Sequence, residues 1–367
     1  MKQNKKVLVS GASFAGLTTA YWMNKMGYKV TVVEIGSHLK MGGTPVDIKD
    51  ETVNIVKRMG VFEQIKAQRI GPEKWEFKNA DDVSEKTVLI QKQPDNEFEI
   101  ERNSLLNILF DLIKDDVNFI YDNSIASLDE KEDCIEVAFK DDTKNQFELV
   151  FGCDGIHSAV RRIWFGEEAE YAHFLGQYFC IAIANRLLVE EGTYQMYAEP
   201  NKGLSLYAYH GKTDIIFTFR PEKEIFYDFR DQEQMKQIVL DQIHGMDWRA
   251  SEMRDELLNS KSFYFDKFCQ IKMPSWTKGR VVLVGDAGYC ASPAAGMGGS
   301  LAIIGATALA DAFEKHNGNF ELAFEEYNQD LRPFIEEVQT GAVEMLDKLL
   351  PATQEEIDLR NKNGFEF

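Results

Sequence analysis

The sequence of 367 residues predicts an α/β protein: a parallel sheet flanked by helices, interrupted by a mostly antiparallel sheet and followed by C-terminal helices. Three observations predict it. Residues 7–34, VLVSGASFAGLTTAYWMNKMGYKVTVVE, read as strand, tight glycine turn, helix and second strand in one short unit. Residues 178–220 hold four aromatic-rich strands with no helical stretch between them, which is the pattern of an antiparallel sheet. Residues 279–289 form another apolar strand that ends in Gly285-Asp286, and a glycine-rich loop and a long apolar helix follow it.

In the first unit, Val7, Leu8 and Val9 make the continuous apolar run of a strand buried on both faces, and Gly11 lets the chain turn sharply. Leu17, Ala20, Tyr21, Met23 and Asn24 follow with helical spacing, and residues 30–33 return to a β-branched run closed by Glu34. The turn Gly11-Ala12-Ser13-Phe14-Ala15-Gly16 departs from G-x-G-x-x-G only at Ser13, a side chain small enough to let phosphate approach the backbone. Backbone N–H groups at the positive end of a helix bind pyrophosphate, and an acid at the tip of the next strand accepts from a ribose hydroxyl. Glu34 stands at the separation of roughly 20 residues that this contact requires. An ordinary βαβ turn, with glycine present only for helix packing, accounts for the same residues without a ligand.

Composition narrows the function classes. A chain of this length can bury a large core in one large or two interleaved domains. The five cysteines, Cys134, Cys153, Cys180, Cys269 and Cys290, are scattered and never form C-x-x-C, so neither a disulfide framework nor a zinc site is expected. The net charge of −19 would repel a nucleic-acid backbone. No stretch reaches the roughly 18 apolar residues of a membrane span, and Gly11, Ser13 and Gly16 interrupt an N-terminal run that otherwise mimics a secretion signal. A cytoplasmic protein is expected, with small-molecule partners rather than nucleic acid, membrane or an obligate protein partner.

Beyond Glu34, residues 35–48 form a glycine-rich loop. Lys40 could meet phosphate or ribose there, and Gly42-Gly43 would let a planar ring approach the backbone; a flexible surface loop with a solvated lysine is the plainer reading. Asp50 is placed to cap a helix ending at Met59-Gly60. Residues 75–77 and 87–90 suggest a hairpin outside the nucleotide-binding part. Arg102 opens a helix with the core stripe Leu105, Leu106, Leu109 and Leu112. A cation at a helix start is electrostatically misplaced unless an anion compensates it, so Arg102 is either a phosphate ligand or half of a salt bridge.

Residues 119–120, 124–128, 135–139 and 147–151 read as a β-meander leading into Cys153-Asp154-Gly155, where Asp-Gly serves either a ligand or only a turn. In the aromatic strands, Tyr194, Tyr197, Tyr207, Tyr209 and Phe217 suggest a ring-lined face, although rings are more often spent on a packed core; Gln195, His210 and Arg220 are polar groups such a sheet could aim at a ligand. Residues 232–245 form an amphipathic helix, Leu257-Leu258 belongs to another, and 262–271 returns as a strand. The strand ending at Asp286 suits a sugar hydroxyl, and Pro293, Gly296, Gly298 and Gly299 bring backbone N–H groups to the start of a buried helix. Residues 332–350 form the final helices, with Pro333 expected near a helix start.

The order and spacing of these motifs resemble the FAD-dependent aromatic-hydroxylase superfamily of the para-hydroxybenzoate hydroxylase type, over nearly the whole chain. Cys153-Asp154-Gly155-Ile156-His157-Ser158-Ala159-Val160-Arg161 matches its second motif, and Gly285-Asp286-Ala287 with Pro293-Ala294-Ala295-Gly296-Met297-Gly298 matches its third. The loop from Gly42 to Asp47, and Gln195 in its sheet, are similar to tetracycline-inactivating flavin monooxygenases. Tyr289, Gly299-Ser300 and Ile35 depart from the histidine, asparagine and arginine common at those places in the family.

The resemblance implies a Rossmann-like FAD-binding domain built from residues 1–70, 97–170 and 269–320, a substrate domain from 71–96 and 171–268, and a C-terminal helical segment from 321–367. It implies that Gly11, Ser13, Ala15 and Gly16 hold the FAD pyrophosphate, Glu34 the adenosine ribose, and Arg102 and Asp286 the ribityl-phosphate region. Asp154 would serve FAD and nicotinamide cofactor together; Pro293, Gly296, Gly298 and Gly299 would lie beside the flavin ring, with Lys40 and Asp47 on the facing loop. The chemistry implied resides on the flavin, without a catalytic side chain or a metal: NADPH or NADH reduces FAD, and one atom of O2 enters an aromatic or polycyclic small molecule, a tetracycline-like antibiotic among the candidates. A flavin reductase or oxidase without oxygen insertion, and a non-enzymatic flavin-binding protein, are the alternatives.

Overall fold

The structure, a computed structural model, describes residues 5–90 and 97–364. Residues 91–96 of the expected substrate segment, and the two chain ends, lie outside the described residues.

A six-stranded sheet forms the base of the molecule, in the order Thr277–Lys278, Val281–Leu283, Leu149–Gly152, Lys6–Ser10, Lys29–Val33, Asn118–Ile120. All its pairings are parallel except that of Thr277–Lys278 with Val281–Leu283. Val7, Leu8 and Val9 are fully buried, as strands covered on both faces require. The helices Phe14–Lys25 and Gly298–Lys315 pack together on this sheet, and the Trp22 indole donates to the Thr307 hydroxyl at 2.9 Å between them.

The expected meander is only partly present. Ile125–Glu130, Ile135–Phe139 and Lys144–Phe147 form a three-stranded antiparallel sheet, but the segments at either end join the parallel sheet instead. Their apolar side chains pack on both faces, and an outer strand of an isolated meander offers only one.

A seven-stranded sheet carries the aromatic strands in the order Phe263–Ile271, Ala172–Ala184, Lys212–Phe219, Lys202–Tyr209, Thr193–Glu199, Lys74–Lys78, Ser84–Leu89. The hairpin of the last two strands adds to it through a parallel pairing of Thr193–Glu199 with Lys74–Lys78. One face buries Tyr197, Leu204, Leu206, Phe217 and Phe219 against the helices Gln232–Ile243 and Ala250–Asn259. The other faces the dinucleotide-binding half.

Two helix details differ from expectation. Asp50 does precede the helix Glu51–Arg58, but with φ 49° its carboxylate makes no capping bond. Pro333 lies inside the helix Phe320–Leu349 rather than near its start, so the carbonyl four residues back lacks its usual donor there. Buried residues spaced along the helix, from Ala323 and Tyr327 to Ala342 and Leu346, hold it continuous through the proline.

Candidate functional site

The first glycine turn is sterically obligatory. Gly11 has φ +100°, and a Cβ there would stand 2.5 Å from the Cys153 carbonyl oxygen; a Cβ on Gly16 would stand 1.9 Å from the Gly11 carbonyl oxygen. Ser13 caps the helix Phe14–Lys25 in position only, its hydroxyl left free of the backbone. That leaves the first N–H groups of the helix without intrahelical partners. The Glu34 carboxylate braces the turn from below, accepting from the Ala12 N–H at 2.8 Å and the Gly36 N–H at 2.9 Å.

Small residues bring the other motifs onto this turn. Ala15 is buried, and its Cβ lies 3.1 Å from where a Cβ on Gly285 would stand, so Ala15 serves close packing between the two cradles. A Cβ on Gly299 would meet Val46 Cγ1 at 2.4 Å, and the Ser300 hydroxyl donates to the Asp47 carbonyl at 2.9 Å. The start of the helix Gly298–Lys315 is thereby fastened to the strand Val46–Ile48. Pro293, Gly296 and Gly298 remain exposed, with open space where a side chain on Gly298 would be.

Arg102 has no carboxylate partner among the described residues. Its guanidinium donates to the Lys40 carbonyl at 2.8 Å, the Gly42 carbonyl at 3.0 Å and the Ser13 hydroxyl at 3.3 Å, and it lies 5.3 Å over the Phe14 ring. Burial pulls the guanidinium below its ordinary value, and the Tyr264 hydroxyl acts in the opposite sense. The Gly42 N–H donates to the Asn103 side chain at 2.8 Å, so the whole Lys40–Gly43 loop is fixed to the start of the helix Arg102–Asp111. Lys40 itself is exposed, its ammonium 5.6 Å from the Tyr264 ring centre.

Asp154 is spent locally. It accepts from the Ser158 hydroxyl, the Ala159 N–H at 2.8 Å and the Val160 N–H at 3.1 Å, closing the start of the helix Ala159–Trp164. Burial raises its carboxyl and these donors hold it down. Asp286, by contrast, has no cation partner among the described residues. It opens a single helical turn after Gly285 at φ +68°, and burial raises its carboxyl while the Cys290 thiol lowers it.

Asp47 and Glu99 pair across the antiparallel strands Val46–Ile48 and Phe98–Ile100. Asp47 lies 3.9 Å from where a Cβ on Gly296 would stand, and the Tyr207 hydroxyl reaches Glu99 at 3.4 Å. The pair thus stands between the glycine loop and the aromatic sheet. Burial, reinforced by Asp47, pushes Glu99 up to about 7, against the opposing Tyr207 hydroxyl. Glu99 was not singled out by the sequence reading, although the alternation Phe98-Glu99-Ile100, apolar-acid-apolar, marks a strand with one acid facing away from two buried neighbours.

The three polar groups expected to orient a substrate do not converge. Strand alternation puts Tyr194 and Tyr207 on the face toward the glycine loop, with Trp75 stacked on Tyr194 at 4.6 Å, and puts Gln195 beside Leu206 on the opposite, helix-covered face. Gln195 donates to Glu76 at 2.7 Å. Tyr197 and Phe217 share its face, so the ring-lined surface is Trp75, Tyr194, Tyr207 and Tyr209. His210 and Arg220 stand at opposite ends of the hairpin formed by Lys202–Tyr209 and Lys212–Phe219. His210, at φ 49°, is a turn residue beside Glu101, and Arg220 bonds Asn201 at 3.0 Å and Asp347 at 3.1 Å.

Two helix starts, a half-buried arginine and a strand-end carboxylate that lack ion-pair partners among the described residues, and a wall of rings fit one long ligand carrying phosphates, sugar hydroxyls and a planar ring system. This fold and site define an α/β dinucleotide-binding protein with a second, ring-lined sheet over the ligand cleft. The family described as FAD binding domain matches residues 4–341, and the chain belongs to it. A flavin-dependent monooxygenase of Legionella longbeachae is 34% identical over 361 residues, covering 95% of this chain and 91% of the relative. The crystal structure of tetracycline destructase Tet(51) superposes with a TM-score of 0.88 at 31% identity, covering 98% of this chain and 95% of that one; that of Tet(55) gives 0.86 at 32% identity, covering 98% and 94%. The chain is a member of the flavin-dependent monooxygenases, as the motif resemblance implies.

Proposed function

We propose that this protein is an FAD-dependent, NAD(P)H-consuming monooxygenase that inserts one atom of O2 into an aromatic or polycyclic small molecule, with tetracycline-like compounds the first class to test. The observation that carries this reading is the meeting of the three motifs on one cleft, with the Asp47–Glu99 pair between the Gly296 loop and Tyr207. Its likeness to the two tetracycline destructases supports the substrate class. The reading divides the chain into the FAD-binding, substrate-binding and C-terminal segments given above, in a cytoplasmic protein.

Bound FAD would supply the redox chemistry, accepting electrons from the nicotinamide and activating dioxygen. The chain's own residues bind and orient. The N–H groups after Gly11, Ser13 and Gly16 and the Arg102 guanidinium would neutralise the phosphates, since a helix start and a cation act in the same sense. Glu34 and Asp286 would accept from sugar hydroxyls, and the N–H groups from Gly296 to Gly299 would face the ring system. Trp75, Tyr194, Tyr207 and Tyr209 exclude water on the substrate side and offer apolar area to a flat ring. Glu99, held near neutral pH, can take or return a proton beside the Tyr207 hydroxyl.

The test is to follow NADPH oxidation by the purified, FAD-loaded protein against tetracyclines, simple phenols and polyketide quinones, with mass spectrometry of the products. A product heavier by one oxygen atom is expected. Rapid NADPH oxidation that yields only hydrogen peroxide with every compound would replace the reading with an oxidase.

A further inference from the structure

Asp266 is buried, 2% exposed, yet it gathers donors from three separate parts of the chain. One carboxylate oxygen accepts from the Tyr227 hydroxyl at 2.7 Å and the Lys267 N–H at 2.8 Å; the other accepts from the Tyr264 hydroxyl at 2.8 Å and faces His157 Nε2 at 3.3 Å. The other imidazole nitrogen of His157 lies 3.1 Å from Glu168, so the ring is clamped between two acids. His157 belongs to the Asp154–Ser158 turn, whereas Asp266 and Tyr264 lie on the strand Phe263–Ile271 of the aromatic sheet. A buried carboxylate with this many donors fixes whatever it holds, because losing any one of them strands a desolvated partner.

What it fixes is Tyr264, 38% exposed. Register places Tyr264 opposite Ile181, in the row that also holds Ile216, Ser205 and Met196, on the face toward the cleft. Its ring has the Lys40 ammonium at 5.6 Å on one side and the Phe179 ring at 5.7 Å on another. Arg102 and Asp286 are both close enough to act on it electrostatically. Two residues back, just before the strand begins, the Ser262 hydroxyl lies 2.7 Å from where a Cβ on Gly42 would stand, so this end of the strand rests on the Gly42–Gly43 loop. An exposed aromatic ring is therefore held rigidly among three of the groups assigned above to the cofactor, with its own hydroxyl already satisfied. That exposure leaves the ring available to a ligand in the cleft.

We propose that Tyr264 is a ring contact of the bound flavin, forming the sheet side of the cofactor cleft, and that Asp266, oriented by His157, is the residue that positions it. This rests on the reading that the cleft holds FAD. It accounts for a phenol whose hydroxyl is already taken by a buried acid: the face of the ring, not the hydroxyl, is left for the ligand. A planar ring stacked on a planar ring is favourable by dispersion and by exclusion of water from both faces.

The experiment exploits a difference among aromatic side chains: tyrosine and tryptophan in contact with an excited flavin quench its fluorescence by donating an electron, and phenylalanine does not. Protein stripped of flavin is titrated with FAD, and the affinity, emission and fluorescence lifetime of the bound flavin are recorded for the wild type, Tyr264→Phe, Tyr264→Trp and Asp266→Asn. Binding with quenched emission is expected for the wild type. Tyr264→Phe, which keeps the ring and its volume, should bind FAD but lose quenching and lengthen the lifetime. Tyr264→Trp should restore the quenching. Asp266→Asn should lengthen the lifetime in the same direction, which a merely structural role for Tyr264 would not produce. Identical lifetimes in wild type, Tyr264→Phe and Tyr264→Trp would overturn the proposal while leaving FAD binding intact. Failure of the wild type itself to bind FAD would instead remove the functional reading on which it rests.

Discussion

Asp47 stands directly opposite Glu99 across the antiparallel strands Val46–Ile48 and Phe98–Ile100, and its charge adds to burial in raising the Glu99 carboxyl. Two carboxyls set against each other in a half-buried place cannot both ionise cheaply, so the pair retains a proton into the neutral range.

That relationship has a pH signature. Glu99 is raised from an ordinary 4.5 to about 7 in the folded protein, so its contribution to stability is complete below 4.5 and is lost as the pH rises through about 7. Asp214, fully buried and also raised to about 7, acts in the same sense. Glu99→Gln should therefore melt like the wild type at about pH 4.5 and at a higher temperature than the wild type above about pH 7. Thermal melts of the flavin-free protein across this range check it; a variant less stable at high pH would refute the assignment.

His157 gives the opposite kind of group but the same direction of loss. Its imidazole, flanked by Asp266 and Glu168, is raised from 6.5 to about 9, so the stability it contributes is complete below 6.5 and disappears as the pH passes about 9. His157→Gln should cost about 1.5–3 kcal/mol at neutral pH, the usual worth of hydrogen bonds to a charged group, and much less at high pH. A proton NMR titration of the wild type should show this ring with no midpoint near the free value.

Arg102 makes its contacts to carbonyl and hydroxyl oxygens and not to an acid, so its charge is left over for a ligand. Arg102→Met should weaken FAD binding by about 1.5–3 kcal/mol, roughly 10- to 100-fold, as expected for a charge-assisted contact. Arg102→Lys should not restore it, because a single ammonium cannot hold the Lys40 and Gly42 carbonyls and the Ser13 hydroxyl together, as the two terminal nitrogens of the planar fork do. Titration of the flavin-free variants with FAD measures both.

The glycines divide into two groups with different expected outcomes. Gly16→Ala puts a Cβ 1.9 Å from a backbone oxygen, and Gly299→Ala puts one 2.4 Å from Val46, so both should destabilise the flavin-free protein, by at least the 1–3 kcal/mol typical of overpacking. Gly298→Ala meets nothing within 4 Å at the start of its helix, and alanine there should leave melting unchanged or raise it, by up to about 1 kcal/mol. Its effect should fall on FAD affinity alone. Equal melting losses for Gly16→Ala and Gly298→Ala would show that steric close approach does not separate them.

Much of the site is legible in the sequence because its signals are local. The turn from Gly11 to Gly16, the strand-end acids Glu34 and Asp286 and the loop from Pro293 to Gly299 each lie within a few residues of the element that positions them, so spacing alone places them in the fold. The departure of Gln195 from the ring-lined face was also within reach: Tyr194 and Gln195 are adjacent, and adjacent residues in a strand point to opposite faces.

Other features depend on where distant segments meet. The sequence by itself determined the α/β class, the cradle and the acid that braces it, because hydrophobic period and backbone freedom act over one or two turns of chain. Only the tertiary structure decided that residues 118–120 and 149–152 complete the parallel sheet, that Arg102 has no acid partner among the described residues, and that Asp47 faces Glu99. The same holds for Asp266 gathering His157, Tyr227 and Tyr264. These depend on pairings between residues far apart in the chain, and a strand's apolar run says that it will be buried without saying beside which neighbour. Which charges end up compensated, and which are left for a ligand, follows from that choice of neighbour.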